Sequence, residues 1–261
     1  MIRRSEKRCA NGYNICIRMR FVAWNIGHRS QSWYEVMETG GDVALLQEAC
    51  QPPRDIRDHL GLEEHGWTTD GVGYVRWWRA AVVPLKRGLI ERNQFYPIRE
   101  RRLSEANVGE FGVSRLGTIS AADVITNAGE TVTLVSIYGL QEKPRVPVAG
   151  CTVYSDAHVH RLISDLSWFV TRKGNHKVIV AADLNLLTGQ GNVGKEYWSA
   201  RSRTIFDRME ALGLPFAGPD TESARVDHVF ASEELIDRLT VRVLEDIQTP
   251  GKHTKVEIVL D

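Results

Sequence analysis

Apolar runs that end in polar residues set the pattern of this chain. Phe21-Val22-Ala23-Trp24 leads into Asn25, Val43-Ala44-Leu45-Leu46 into Gln47-Glu48, and Val178-Ile179-Val180-Ala181-Ala182 into Asp183. Val229-Phe230 follows Asp227, and Val256-Glu257-Ile258-Val259 follows His253. Short, mostly apolar runs predict buried strands. Strands are expected over 20–26, 42–48, 72–84, 113–126, 131–138, 177–182, 226–231, 239–245 and 254–260, with a hairpin turn at Asn127-Ala128-Gly129-Glu130.

A period near 3.6 marks the helices. Trp33, Val36 and Met37 predict one over 31–39, closed by Gly40-Gly41. Ser155 is the expected N-cap of the longest, 156–173, where Leu162, Ile163, Leu166, Phe169 and Val170 form one stripe before Gly174. Ile205, Phe206, Met209 and Leu212 mark a third over 203–212, and Ser232 caps a short fourth. Hairpins mixed with helix crossovers imply an α/β (α+β) chain: a four-layer sandwich of two packed mixed β-sheets flanked by helices. No repeat or linker divides it, so one domain over 19–261 is expected.

Composition narrows the class. The 261 residues carry 33 basic and 33 acidic side chains, so no global field draws in nucleic acid, and any such binding must use a local patch. No apolar stretch approaches membrane-spanning length. Residues 1–18 are basic and lack an apolar signal core; they read as a disordered arm or as sequence ahead of a true start at Met19. The four cysteines form no CxxC pair, which excludes a zinc ribbon and suits a reducing cytoplasm. A monomer without membrane contact is expected. No GxSxG elbow or GxxxxGK[ST] loop supports a serine hydrolase or a P-loop enzyme.

The polar run ends carry the chemistry. Asp183-Leu184-Asn185 places an acid and an amide one residue apart; at strand spacing both side chains face one way. An acid that orients water beside an amide that holds a phosphate oxygen is one use of that pair, and a strand-to-turn boundary is another. Glu48 ends a buried strand, where a carboxylate can ligate a hard divalent cation. Asp227 enters an apolar strand and needs a partner; His253 is the candidate, and an acid beside it favours the imidazolium. Basic residues from Arg76 to Arg102 interleave with Trp77 and Trp78, which suits either a backbone-binding surface or a solvated face. His158 and His160 diverge by about 200° on a helix and do not make a metal pair.

Taken in order, Asn25, Glu48, Tyr138, Asp183-Leu184-Asn185, Asp227 and His253 resemble the endonuclease/exonuclease/phosphatase superfamily, which includes DNase I-like nucleases, abasic-site exonucleases, inositol-polyphosphate 5-phosphatases and neutral sphingomyelinases. The resemblance runs over 20–260. It implies a DNase I-like fold, Mg2+ (or Mn2+) on Glu48 with Asn25 beside it, and water aligned by Asp183. Asn185 is then implied to hold a phosphate oxygen, Tyr138 to lie near the scissile phosphate, and Asp227 to orient a charge-stabilising His253. Gln141, Arg115, Lys252, Trp77 and Arg76 are the expected substrate contacts. Lys252 stands where the family carries an acid before its histidine, Ala182 where it carries a glycine, and Gly27 where abasic-site enzymes carry a further acid. The expected activity is metal-dependent cleavage of nucleic acid. Hydrolysis of a small phosphorylated or lipid substrate, and a weakened binding module, are the alternatives.

Overall fold

The computed structural model describes residues 18–71, 74–86, 89, 96–98, 110–141, 156–171, 177–186, 195–220, 227–244 and 253–261. Two five-stranded mixed sheets lie at its centre. The first runs β13 (Leu239–Leu244), β14 (Lys255–Leu260), β1 (Met19–Asn25), β2 (Val43–Cys50) and β5 (Trp78–Pro84). The second runs β11 (Phe216–Gly218), β12 (Asp227–Ala231), β10 (Val178–Asp183), β9 (Thr131–Tyr138) and β8 (Ile119–Ile125). Short pairs join β3 (Thr69–Gly71) to β4 (Tyr74–Arg76) and β6 (Tyr96–Ile98) to β7 (Glu110–Gly112). The helices are α1 (Ser30–Glu38), α2 (Arg54–Leu60), α3 (Asp156–Val170), α4 (Lys195–Ala211) and α5 (Glu233–Ile236). No described helix is long and apolar enough to cross a membrane.

The alternation of each strand sorts its side chains into three apolar layers. Phe21, Ala23, Val43, Leu45, Leu134, Ile179, Ala181, Val229 and Ile258 fill the space between the sheets. Trp24, Ala44 and Leu46 point the other way, against Trp33 and Val36 of α1 and Ile56 and Leu60 of α2. Val135, Ile137, Val178 and Val180 face Leu162, Ile163 and Leu166 of α3 and Ile205 and Met209 of α4. Helix, sheet, sheet, helix is the four-layer sandwich that the pattern predicts. Each fully buried Val, Leu or Ile contributes roughly 1.5–3 kcal/mol, and these layers hold the polar ends of the strands in place.

The differences from the expected elements are local. The strand expected from 113 starts only at Ile119; residues 113–118 form a turn, so Arg115 lies on a loop. α4 starts at Lys195, eight residues before the expected start at 203, because the stripe from Ile205 does not extend through Ser199, Arg201, Ser202 and Arg203. α2 and β11 are too short for their periodicity to show in the sequence. Ser155, Gly174, residues 1–17 and Lys252 lie outside the described residues.

Candidate active site

One geometric rule builds the site. The row of each strand that faces the other sheet is apolar until it reaches one common edge, where it turns polar. Phe21 and Ala23 are followed by Asn25, Val43 and Leu45 by Gln47, Leu134 by Ser136 and Tyr138, and Ile179 and Ala181 by Asp183; Val229 is preceded by Asp227. β1 and β2 are parallel, as are β9 and β10, while β12 and β14 run antiparallel to their neighbours, so all these ends meet at one edge. Slightly deeper, Gln47 Nε2 donates to Ser136 Oγ at 2.9 Å, and Ser136 Oγ donates to the Leu46 carbonyl at 2.7 Å, linking the sheets.

Asn25 spans the two sheets at the rim. Its Nδ2 donates to Asp183 Oδ2 at 2.7 Å and lies 3.2 Å from His253 Nε2, while its Oδ1 accepts the Gly27 N–H at 2.8 Å. These partners fix which way the amide points. His253 is held in turn by its carbonyl, which accepts the Trp24 indole N–H at 3.0 Å. His253 Nδ1 sits 3.4 Å from Asp227 Oδ1 and 3.7 Å from Asp183 Oδ2. Neither Nδ1 nor Asp227 Oδ1 has a hydrogen bond of good geometry, so the contact is a buried ion pair.

The charges shift as that geometry requires. Burial, then the Asp227 charge, push the Asp183 carboxyl up to about 7, against the pull of His253, Asn25 and the Asn185 N–H. Burial works against the His253 imidazolium, but Asp227, Asp183 and Glu48 overcome it and raise His253 to about 9. The rim therefore sets the raised His253 imidazole among three acids, one of which, Asp183, is held near neutrality.

Glu48 sits in a β-bulge. The β2–β5 register slips between Leu46 and Ala49, and Glu48 takes φ +47°. Strict alternation would send its side chain under α1 with Ala44 and Leu46; the bulge turns it to the rim. Tyr138 Oη donates to Glu48 Oε1 at 2.7 Å, and His28 Nδ1 lies 3.1 Å from Oε2. Burial, then the Glu48 charge, push the Tyr138 hydroxyl far above its ordinary value, so it remains a neutral donor. The sequence reading missed His28. Its one signal was a lone histidine beside a glycine just past the first strand.

Asp183 and Asn185 do face one another, by a different route from strand spacing. The strand stops at Asp183; Asn185 takes φ +50°, and its N–H donates back to Asp183 Oδ1 at 2.9 Å. Asn185 Nδ2 donates to the Gly139 carbonyl at 3.0 Å, and Gln141 Nε2 reaches Asn185 Oδ1 at 3.4 Å. Gly139 permits this approach, since a Cβ there would lie 2.5 Å from the Leu184 carbonyl oxygen. The sequence reading missed Gly139 too, although a glycine directly after Tyr138 was its cue.

The remaining expected contacts spread out. Trp77 is 73% exposed. Arg76 is buried, donates to the Leu116 carbonyl at 2.9 Å and lies over the Trp78 ring, which packs T-shaped with Tyr138, so Arg76 itself is not a solvated surface cation. Arg115 is half-buried on its turn. His158 is buried and neutral, pushed down to about 3 by burial and by Arg115 and Arg76, and its Nδ1 accepts the Leu140 N–H. His160 turns away to Arg208.

A hard cation fits this rim. Its donors are carboxylate and amide oxygens, the kind that Mg2+ and Mn2+ take. Among the described residues, Asp183, Asp227 and His253 form the one group of three acid, cysteine or histidine side chains whose ligand atoms lie within 4.8 Å of one another, and with His253 protonated only the two carboxylates of that group can face a cation. Glu48 and Asn25 border it.

The fold is the α/β sandwich seen in solved structures of endonuclease/exonuclease/phosphatase proteins. The endonuclease domain of TRAS1, a telomere-specific non-LTR retrotransposon, superimposes with a TM-score of 0.57 at 18% identity over 93% of this chain and 98% of that one. The AP endonuclease LMAP from Leishmania major gives 0.53 at 13% identity over 93% and 87%, and an endonuclease/exonuclease/phosphatase from Bacteroides vulgatus gives 0.52 at 14% over 94% and 98%. At these identities the likeness is one of fold. No protein-family model and no curated protein sequence matches the chain.

Proposed function

We propose that this chain is a divalent-metal-dependent phosphodiesterase that hydrolyses nucleic acid. The observation that carries the reading is the convergence of Asn25, Glu48, Tyr138, Asp183, Asn185, Asp227 and His253, from both sheets, on one rim whose carboxylates outnumber its cations. A bound Mg2+ or Mn2+ would supply Lewis-acid polarisation of the phosphoryl oxygen. Glu48, with Asn25 beside it, would hold that ion. Asp183 accepts the proton of the attacking water, and a pKa raised toward neutrality suits that role. Asn185 offers its amide to a phosphate oxygen. His253, kept cationic by Asp227 and Asp183, donates to the oxygen on which charge builds. Tyr138 fixes Glu48. The exposed Trp77 offers a base-stacking face, which supports nucleic acid as the substrate, and two proteins of the same fold are by name endonucleases.

The test is a panel of plasmid DNA, single-stranded RNA and inositol phosphates with Mg2+ or Mn2+, using wild type and Asp183→Ala. Cleavage of DNA or RNA by wild type alone is expected. Turnover of inositol phosphates only would sink the nuclease reading, and equal background rates for both proteins would sink the enzyme.

A further inference from the structure

His28 has no part in the roles above, yet the backbone is contorted to deliver it. His28 and Glu48 both take φ +47°, a left-handed conformation that non-glycine residues rarely adopt. The His28 N–H donates to the Glu48 carbonyl at 2.8 Å, so the two strained residues hold each other. Gly27, at φ +58°, completes the bend, and Asn25 Oδ1 ties down its N–H. The bulge at Glu48 serves to turn its side chain to the rim, whereas the left-handed backbone of His28 delivers only its imidazole, at a cost above what a half-exposed contact returns. Such outliers point to a use for the geometry they enforce.

We propose that His28, through Nδ1, is a second side-chain ligand beside Glu48 for the site's divalent cation, and that this imidazole biases the centre toward Mn2+ over Mg2+. The proposal rests on the reading that Glu48 holds the cation. His28 Nδ1 lies 3.1 Å from Glu48 Oε2. Neighbouring ligand atoms of an octahedral ion with bonds of ~2.1 Å lie about 3.0 Å apart, so the separation of this hydrogen-bonded pair matches one edge of such a shell. The other Glu48 oxygen is engaged by Tyr138, which leaves Oε2 facing His28. The His28 side chain is 52% exposed, so an ion can reach it from solvent. Because an ionised Glu48 only accepts, Nδ1 carries the hydrogen in the metal-free state. Ligation would release that hydrogen from Nδ1 to solvent, leave the ring N–H on Nε2 and turn the Nδ1 lone pair to the ion. Imidazole nitrogen suits transition ions, whereas Mg2+ keeps to oxygen.

The experiment is equilibrium binding: free Mn2+ followed by its EPR signal, and Mg2+ by competition against Mn2+. The proteins are wild type, His28→Asn, His28→Gly and Glu48→Gln. Asparagine and glycine both tolerate the left-handed backbone, and matching thermal melts show that the variants fold. In both His28 variants Mn2+ affinity should fall roughly tenfold or more, in line with other losses around a metal. Mg2+ affinity should change less than about threefold, since this ion gains little from nitrogen. Equal losses for both ions, or no loss, overturn the assignment of His28 while leaving Glu48 as a ligand if Glu48→Gln abolishes binding. If Glu48→Gln binds Mn2+ as wild type does, the Glu48 reading falls and this proposal falls with it.

Discussion

Asp183 and Glu257 are both buried carboxylates on central strands, and they titrate in opposite directions. Burial raises both. Around Glu257 it is overcome: Arg20 donates through Nε at 2.9 Å and Nη2 at 2.6 Å to Oε1, and Arg242 Nε meets Oε2 at 2.5 Å, so this carboxyl ends below its ordinary value. Around Asp183 it is not. A second acid, Asp227, adds to the penalty, and His253 is the cation shared between them. One cluster is neutralised within the fold. The other is left short of positive charge at an edge that solvent can reach. A fold tolerates such a shortfall where an incoming group fills it, which is why perturbed acids of this kind mark functional sites.

Neutralising each acid in turn separates the two clusters by the largest effect. Asp183→Asn should lower kcat/KM by about 10²–10⁴, the usual value of a positioned base. The variant's amide oxygen can still accept the Asn185 N–H while its amide nitrogen then faces Asn25 Nδ2, so a thermal melt is the control for folding. Wild-type activity should rise through about pH 7, as Asp183 ionises, and fall through about pH 9, as His253 loses its proton. His253→Ala should cost about 10²–10³ in kcat, as for loss of one charge-stabilising donor. The sign of its pH effect follows from the site. The alkaline limb disappears, and the acid limb moves up, because His253 holds Asp183 down. An unmoved acid limb would separate Asp183 from His253.

Most of this rim was legible in the sequence because its logic is period two. Asn25, Asp183 and Asp227 end rows whose alternation could be counted from Phe21, Ile179 and Val229, so the strand readings placed them correctly. What alternation cannot show is where it fails. Glu48 reaches the rim only through a bulge, and Asn185 through a turn closed on Asp183; neither leaves a mark in hydrophobicity. His28 and Gly139 were missed because each acts through a contact distant in sequence, His28 with Glu48 and Gly139 with Leu184. Arg76 was placed on a basic surface because charge alone does not tell a buried guanidinium from a solvated one.

Glu257→Gln tests the neutralised cluster. It keeps the shape and removes the charge that faces two guanidinium groups. Hydrogen bonds to charged partners are worth more than neutral ones, but Arg20 is 42% and Arg242 64% exposed, so water takes over part of the loss. A deficit of about 1–2 kcal/mol in denaturant titration is expected. Its pH dependence has a fixed sign. Glu257 has a depressed pKa in the folded state and 4.5 when unfolded. The contribution is therefore complete above 4.5 and is lost as pH falls through the folded value. Wild type and Glu257→Gln should converge in acid, and catalysis should be unchanged. A deficit that persists at low pH would mean that packing, not charge, is what Glu257 supplies.

Arg242→Ala sets the lower limit. It removes one of two cations from Glu257, just as His253→Ala removes the shared cation from Asp183 and Asp227. The consequences differ because the clusters differ in redundancy and in exposure. Arg20 still holds Oε1 by two bonds, and the space left by Arg242 opens Oε2 to water. The cost should stay within about 1 kcal/mol, as for exposed pairs, and should shrink further in high salt. Activity should not change. If Arg242→Ala instead matched Glu257→Gln in free energy, the triad would depend on both arginines at once. Glu257 would then be held as narrowly as Asp183, and the contrast between the two clusters would rest on the second acid, Asp227, alone.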